Sequence, residues 1–191
     1  KISSPAIRIV FQLMVFMSFV IIMNLNLNDL RVDFLNDLLS KKFISIIFTT
    51  FCILVLVNGT NFIDGLNTVV VGYYLLIMFF ISSFYIGDEI FILNYETVTL
   101  FSIILLSILI LNGLNLLYLG DNGAYLLSFF VAIVLIDLSN NLKTLSPYYI
   151  VNLLWYPAYE TLFSIIRKLK DKKSPLKPDN LHLHQLIYLF I

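Results

Sequence analysis

The sequence predicts an all-α, polytopic transmembrane helical bundle with about six spans and the start of a seventh. Of its 191 residues, 60% are hydrophobic and 13% are charged, against about 25% charged in average globular chains. The mean hydropathy is +0.93. The apolar residues fall into runs near the roughly 20 residues that cross a bilayer core as a helix. We therefore predict one transmembrane domain over residues 1–191. The formal net charge of zero gives no sign of a nucleic-acid partner.

Polar links separate the apolar runs and define the spans. Ser4 and Pro5 suit the cap and first position of a helix, and Ser146 and Pro147 repeat this start in the sixth span. Pro157 lies inside that span, where we expect a kink. The predicted spans are 5–23, 43–57, 66–86, 98–117, 124–136 and 147–166, and a further run starts at residue 186.

The links alternate between the two sides of the membrane. The N-terminus and the links 58–65, 118–123 and 167–185 share one side. That side holds eight of the twelve basic residues, so the positive-inside rule places it in the cytoplasm. We expect a multi-pass membrane protein whose polar motifs meet at the cytoplasmic face. The eight basic residues are Lys1, Arg8, Arg167, Lys168, Lys170, Lys172, Lys173 and Lys177.

The segment "NGTNFIDGLN" places three polar side chains at three-residue spacing: Asn58, Asn61 and Asp64. On a helix end this spacing puts them on one face. The carboxylate can hold a divalent cation or take a proton, and the amides can orient a phosphate or a sugar. The alternative is a capped, hydrated turn, although polar groups at membrane depth are costly to keep.

The segment "YLGDNGAYLLSF" places Asp121 between Gly120 and Gly123 at the predicted start of a helix. A helix N-terminus favours anions such as phosphate. A carboxylate beside a phosphate requires a cation between them, which makes Asp121 a candidate ligand of Mg²⁺. The alternative is that Asp121 caps the helix.

The basic and histidine loop 167–185 contains "KSPLKPDNLHLHQL", with Lys177, His182 and His184. Lysine and histidine together suit a pyrophosphate. A zinc site is disfavoured because the chain has one cysteine and no cysteine cluster. The alternatives are a lipid-headgroup anchor and solvated histidines. Glu160 lies inside the sixth span, so we expect its side chain to face the bundle and to make a polar contact there.

Four segments of the chain resemble, in the same order, motifs of the polyprenyl-phosphate N-acetylhexosamine-1-phosphate transferases (glycosyltransferase family 4). The segments are "NGTNFIDGLN", "YLGDNGAYLLSF", "YETLFSIIRK" and "SPLKPDNLHLHQL". The segment "SPLKPDNLHLHQL" resembles most the branch that initiates glycans, which includes the undecaprenyl-phosphate GlcNAc-1-phosphate transferases. The opening "SSPAIRIVFQL" is similar to the segment after the family's paired aspartates. The resemblance implies a multi-pass enzyme of the bacterial inner (plasma) membrane that starts cell-envelope polysaccharides such as O-antigen or teichoic acid.

The implied reaction transfers a HexNAc-1-phosphate from a UDP-N-acetylhexosamine to undecaprenyl or another polyprenyl phosphate within the membrane, with release of UMP. The implied cofactor is Mg²⁺, with Mn²⁺ as an alternative. The sugar, the downstream glycan and the oligomeric state stay open. The resemblance implies these residue roles: Asp64 and Asn61 catalytic, Asp121 on the metal, Tyr118 on uracil, and His182 and His184 on the phosphates of the sugar nucleotide. Asn58 and Lys177 complete the predicted substrate-binding residues.

The chain departs from the family pattern at Asn67, Ala124 and Gln185. It also contains no adjacent pair of aspartates, whereas that pair takes part in catalysis in the family. We therefore expect a piece of a longer protein that is inactive alone. The alternatives are a transporter or channel subunit, disfavoured because the polar groups cluster at one membrane face, and a non-catalytic truncated paralogue.

Overall fold

The protein is described by a computed structural model over residues 5–85 and 93–172. Within these residues the chain forms α-helices and one 3₁₀ turn, Ser83–Tyr85, and no strand. The predicted all-α class is confirmed. The helices are α1 Pro5–Met23, α2 Asp33–Leu39, α3 Lys42–Ile63, α4 Val69–Ser82, α5 Tyr95–Gly113, α6 Gly120–Asn141, α7 Pro147–Leu153 and α8 Trp155–Lys170.

Four of these helices, α1, α3, α5 and α6, are long and apolar enough to cross a membrane. They contain 19 to 22 residues, which corresponds to about 28–33 Å at 1.5 Å per residue. This length matches the hydrocarbon core of roughly 30 Å. The helix α4 is shorter, with 14 residues. The polytopic membrane bundle that the sequence predicts is confirmed.

The predicted span 147–166 is divided into α7 and α8, which meet at Leu154. Pro157 has no N–H group to donate to the carbonyl of Leu153, so the helical ladder is interrupted there. The expected kink is therefore present as a break. Pro147 occupies the first turn of α7 as expected, whereas the side chain of Ser146 makes no capping hydrogen bond.

The central helices are α3 and α6, and their buried side chains join two apolar clusters. One cluster links α6 to α4 and α5, with Tyr74 and Leu105 fully buried. The other links α6 to α1 and α3, with Val20 and Val57 fully buried. Because α3 ends where α1 and α6 begin, the packing brings three chemically important helix ends to one end of the bundle.

The helix α8 lies against α3 with its polar side chains inward. Glu160 is 1% exposed and Lys168 is 3% exposed, whereas Leu162 and Ile166 on the opposite face are exposed. The ammonium of Lys168 lies 5.5 Å from the centre of the Phe62 ring. This distribution, polar inside and apolar outside, is the one expected of a helix in contact with lipid. The bundle-facing contact predicted for Glu160 is confirmed.

Candidate active site

Polar side chains from α1, α3 and α6 meet at one end of the bundle. The guanidinium Nη1 of Arg8 lies 3.4 Å from Oδ2 of Asp121, although the two residues are 113 positions apart. The amide nitrogen of Asn58 donates to Oε1 of Gln12 at 3.1 Å. The structure thus joins the start of α1 to both the end of α3 and the start of α6.

Asp64 is the first residue after α3, where the backbone leaves the helical conformation. Its N–H still donates to the carbonyl of Thr60 at 3.1 Å. Partial burial, followed by the nearby negative charge of Asp121, raises the pKa of Asp64 to about 6. A carboxyl group with this pKa can exchange a proton near neutral pH, and its charged form would be stabilised by a cation.

Asp121 lies in the first turn of α6, and its side chain is 64% exposed. It does not cap the helix, because the capping position is Leu119 and no side chain forms a capping hydrogen bond there. Gly120 has φ +63°, a left-handed conformation that glycine adopts without steric cost. Of the two alternatives for Asp121, the structure therefore excludes the cap and leaves the carboxylate accessible.

Arg8 and its neighbours carry polar atoms that the surrounding protein does not satisfy. Nε of Arg8, Nε2 of Gln12 and the hydroxyl of Tyr125 are buried and have no hydrogen-bond partner among the described residues. The guanidinium of Arg8 lies 5.7 Å from the centre of the Tyr125 ring. Buried polar atoms are nearly always satisfied by protein, water or a ligand. The guanidinium of Arg8, with the free donors of Gln12 and Tyr125 near it, is therefore suited to bind an anionic group.

In the sequence, Arg8 indicates only sidedness, and Gln12 and Tyr125 carry no predicted role. A signal for the first two was present in the sequence. They are four residues apart, on one face of a 19-residue helix whose other side chains are apolar except for Ser18. An ionisable residue within a membrane span is a functional candidate by default. No comparable pattern marks Tyr125, whose position follows only from the packing of α6 against α1.

The other predicted site residues differ in how the structure holds them. The Asn58 amide nitrogen is engaged by Gln12 and by the carbonyl of Leu54 at 2.9 Å, so it fastens α3 to α1. Asn61 is half-buried, and Tyr118 is 73% exposed in the link before α6. His182, His184 and Lys177 lie outside the described residues. The functional roles of all these residues stay predictions.

Amide side chains hold the two site loops together. Asn67 donates to Oδ1 of Asn115 at 2.7 Å. Buried Asn112 accepts from the N–H of Thr68 and donates to the carbonyl of Leu117 at 2.7 Å. These bonds tie the loop after Asp64 to the loop before Asp121. Asn67, a departure from the family pattern, is therefore part of a structural bridge.

The described residues contain no group of three histidine, cysteine, aspartate or glutamate side chains that could hold a metal ion. They do contain Asp64 and Asp121 close enough to interact: after partial burial, the charge of Asp121 is the second cause of the raised pKa of Asp64. Magnesium typically takes one or two carboxylates and completes its shell with substrate phosphates and water. The acid pair fits this requirement and does not fit a zinc site, which needs more protein ligands.

Comparison with known proteins identifies relatives of this chain. The model of glycosyl transferase family 4 matches residues 2–139. A protein of Bacillus subtilis (strain 168), described as a probable undecaprenyl-phosphate N-acetylglucosaminyl 1-phosphate transferase, is 25% identical over 169 residues, covering 87% of this chain and 47% of that protein. A decaprenyl-phosphate N-acetylglucosaminephosphotransferase of Mycolicibacterium smegmatis (strain ATCC 700084 / mc(2)155) is 25% identical over 163 residues, covering 73% of this chain and 39% of that protein.

The chain thus spans less than half the length of these two curated relatives. No solved structure matches it. The family match covers the two acidic residues and the arginine that meet at the end of the bundle. Because the family model matches residues 2–139, which is most of the chain, the chain belongs to glycosyl transferase family 4.

Proposed function

We propose that the protein carrying this chain transfers a HexNAc-1-phosphate from a UDP-N-acetylhexosamine to a polyprenyl phosphate, and so initiates a cell-envelope polysaccharide. The observation that supports this most directly is the meeting of Asp64, Asp121 and Arg8 at one end of a membrane bundle in a member of glycosyl transferase family 4. The names of the two relatives support the same class of donor and acceptor.

The position of the site suits these two substrates. The acceptor has an apolar chain that must stay in the bilayer and a phosphate that must stay near water. The sugar nucleotide is soluble and approaches from the aqueous phase. Asp64 and Asp121 lie at the ends of membrane-length helices, and therefore near the level of the lipid headgroups. We propose that this end faces the cytoplasm of a bacterium, as the distribution of basic residues favours.

The chemistry requires charge neutralisation and positioning more than covalent assistance. In this proposal Asp121 holds Mg²⁺, or Mn²⁺ as an alternative. The ion would neutralise the phosphate oxygens on which charge develops. Arg8, whose own Nε is buried and unsatisfied, binds a phosphate oxygen of a substrate. Gln12 and Tyr125 offer further hydrogen bonds on the same side.

Asp64 acts on the acceptor in this proposal. Its pKa of about 6 is close to the second pKa of a phosphate monoester, roughly 6, so it can accept the acceptor's proton. Asn61, three residues earlier, orients the same phosphate. Tyr118 stacks on the uracil. Asn58, through its link to α1, positions the end of α3.

The experiment that tests the proposal measures UMP release by the full-length protein with Mg²⁺, undecaprenyl phosphate and several UDP-HexNAc donors. We expect Asp121→Asn to lower the rate by about 10²-fold or more, as expected when a major source of charge stabilisation is lost. Asp37→Asn, an exposed acid near the other end of the bundle, is the matched control and should retain activity. Full activity in Asp121→Asn would show that the metal assignment is wrong.

A further inference from the structure

Two adjoining cavities lie at the opposite end of the bundle from the candidate active site. One is polar and has a volume of about 270 Å³, and the other is apolar and has a volume of about 260 Å³. Ser139 and Pro147 line both cavities. The polar cavity lies between the link from α1 to α2 and the link from α6 to α7. It is therefore separated from Asp121 by most of the length of α6, because Ser139 follows Asp121 by 18 residues, about 27 Å along the helix.

The polar cavity is held in shape by Arg31. Its Nη2 donates to the carbonyls of Lys143 at 2.6 Å and Leu145 at 3.0 Å, which fastens the two links to each other. Asn140 donates to the carbonyl of Asn26 at 3.2 Å and adds a second connection. The cavity walls are thus built by hydrogen bonds between segments that are more than 100 residues apart.

The charge of this polar cavity is positive. Oδ1 of Asp29 accepts from the N–H of Arg31 and from the amide of Asn36, both at 2.8 Å, so one of its two carboxylate oxygens is already engaged. The ammonium of Lys143 feels the charge of Asp29 but makes no hydrogen bond or salt bridge with the described residues. The amide nitrogen of Asn28 has no hydrogen-bond acceptor among these residues either. Arg31, Lys143 and Asp29 together leave one net positive charge and unused donors around the cavity.

The apolar cavity continues inward from the polar one. Its walls include Phe51, Leu56, Ile136 and Val151, which come from α3, α6 and α7. The helices that end around the polar cavity have the length of a bilayer core, so their ends lie at the level of the lipid headgroups. A cationic, amide-rich cavity at headgroup level therefore opens beside an apolar cavity at hydrocarbon depth.

We propose that the two cavities together form a binding site for an anionic glycerophospholipid. The phosphate lies beside Lys143 and Arg31, where its charge is complementary. The glycerol hydroxyls bond to Asp29 and to the amides of Asn24 and Asn28. One acyl chain occupies the apolar cavity, which supplies the burial that a hydrocarbon requires. This site is independent of the proposed transferase reaction and lies at the other face of the membrane.

Trp155 gives a local signal for this test, because it is the single tryptophan of the chain and follows Leu154, which lines the apolar cavity. The full-length protein would be reconstituted into phosphatidylcholine vesicles containing increasing fractions of brominated phosphatidylglycerol; any tryptophan outside this chain would be replaced by phenylalanine. Quenching of Trp155 reports binding. We expect an affinity for phosphatidylglycerol at least fivefold above that for brominated phosphatidylcholine.

The variant Lys143→Gln should reduce this preference to less than twofold. The control Lys42→Gln, at the same end of the bundle but outside both cavities, should retain it. Val151→Phe partly fills the apolar cavity from an exposed position and should weaken quenching without changing the charge. It keeps the test decisive if Lys143→Gln does not fold.

Three results would overturn the proposal. The first is equal quenching by the two brominated lipids. The second is displacement of phosphatidylglycerol by millimolar glycerol 1-phosphate, which would show that a free phosphate suffices. The third is displacement by an equal amount of undecaprenyl phosphate, which would show that the site takes a different lipid.

Discussion

Gly59 is the point at which the backbones of α3 and α8 come into direct contact. A Cβ atom at this position would lie 2.5 Å from the carbonyl oxygen of Pro157 and 2.6 Å from Oγ1 of Thr161. The hydroxyl of Thr161 also donates to the Pro157 carbonyl at 2.8 Å, so neither atom can move freely. The variant Gly59→Ala must therefore separate the two helices or distort one of them.

The expected magnitude follows from two opposing effects. Overpacking of a tightly packed contact costs typically 1–3 kcal/mol, and contact with a fixed backbone oxygen favours the upper end. Alanine is a better helix former than glycine by about 1 kcal/mol. The free energy of unfolding should then fall by about 2 kcal/mol. In a chain of this size that corresponds to a decrease in Tm of about 4–8 °C.

The assay is thermal unfolding of the protein in detergent micelles, followed by circular dichroism. The matched control is Gly72→Ala in α4, where the nearest atom to a new Cβ is Cδ1 of Leu109 at 3.6 Å, an ordinary contact. Helix propensity alone then acts, and Tm should rise by about 2–4 °C. If Gly59→Ala were as stable as Gly72→Ala, the close approach of α3 and α8 would be wrong.

Three further predictions concern the candidate site. The raised pKa of Asp64, about 6, means that its charged form is disfavoured in the folded state, so the penalty grows as pH rises from about 4 to 6 and is complete above that pH. A rise in pKa of this size corresponds to about 3 kcal/mol, which partial exposure reduces to about 1 kcal/mol. Asp64→Asn should therefore raise Tm in EDTA by about 2–4 °C at pH 7.5 and not at pH 4. An equal rise at both pH values would contradict the assignment. Arg8→Ala removes a partly exposed ion pair and should change the free energy of unfolding by less than about 1 kcal/mol, while UMP release by the full-length protein should fall at least tenfold. Lys42→Ala, at the other end of the bundle and outside both cavities, is the control for activity. Unchanged activity in Arg8→Ala would argue against phosphate binding by Arg8. Asn112→Ala leaves the N–H of Thr68 and the carbonyl of Leu117 without their partner. It should lower the free energy of unfolding, measured by denaturant titration, by about 2–3 kcal/mol. An almost unchanged free energy of unfolding would show that the hydrogen bonds of Asn112 do not hold the two loops together.

The sequence predicted the first helix with the bounds that the structure has, 5–23, because a proline start and a continuous apolar run define both ends. It placed the end of the second span at residue 57, whereas α3 continues to Ile63. The polar residues of "NGTNFIDGLN" predict a link between two helices, but several of them lie within α3. Gly59 and Thr60, for example, are buried between neighbouring helices. Only the packing around them makes a polar helix end stable at that depth.

The candidate site was predicted in part. Counting spans placed Asp64 and Asp121 at one membrane face, and their electrostatic contact agrees with that placement. The ion pair between Arg8 and Asp121 could not be predicted, because residues 113 positions apart meet only through the packing of α1, α3 and α6. The same holds for Asn112, a residue of an apolar helix whose partners lie in two different loops.

The inward polar face of α8 has a consequence for how the protein enters the membrane. Glu160 and Lys168 are almost fully buried against the rest of the bundle, whereas a charged side chain exposed at the bilayer centre costs roughly 3 kcal/mol on insertion scales. On its own, α8 would therefore be a poor membrane segment. It acquires a stable position only when α3 is already present to cover its charges, so the late segment of the chain depends on an earlier one during biogenesis.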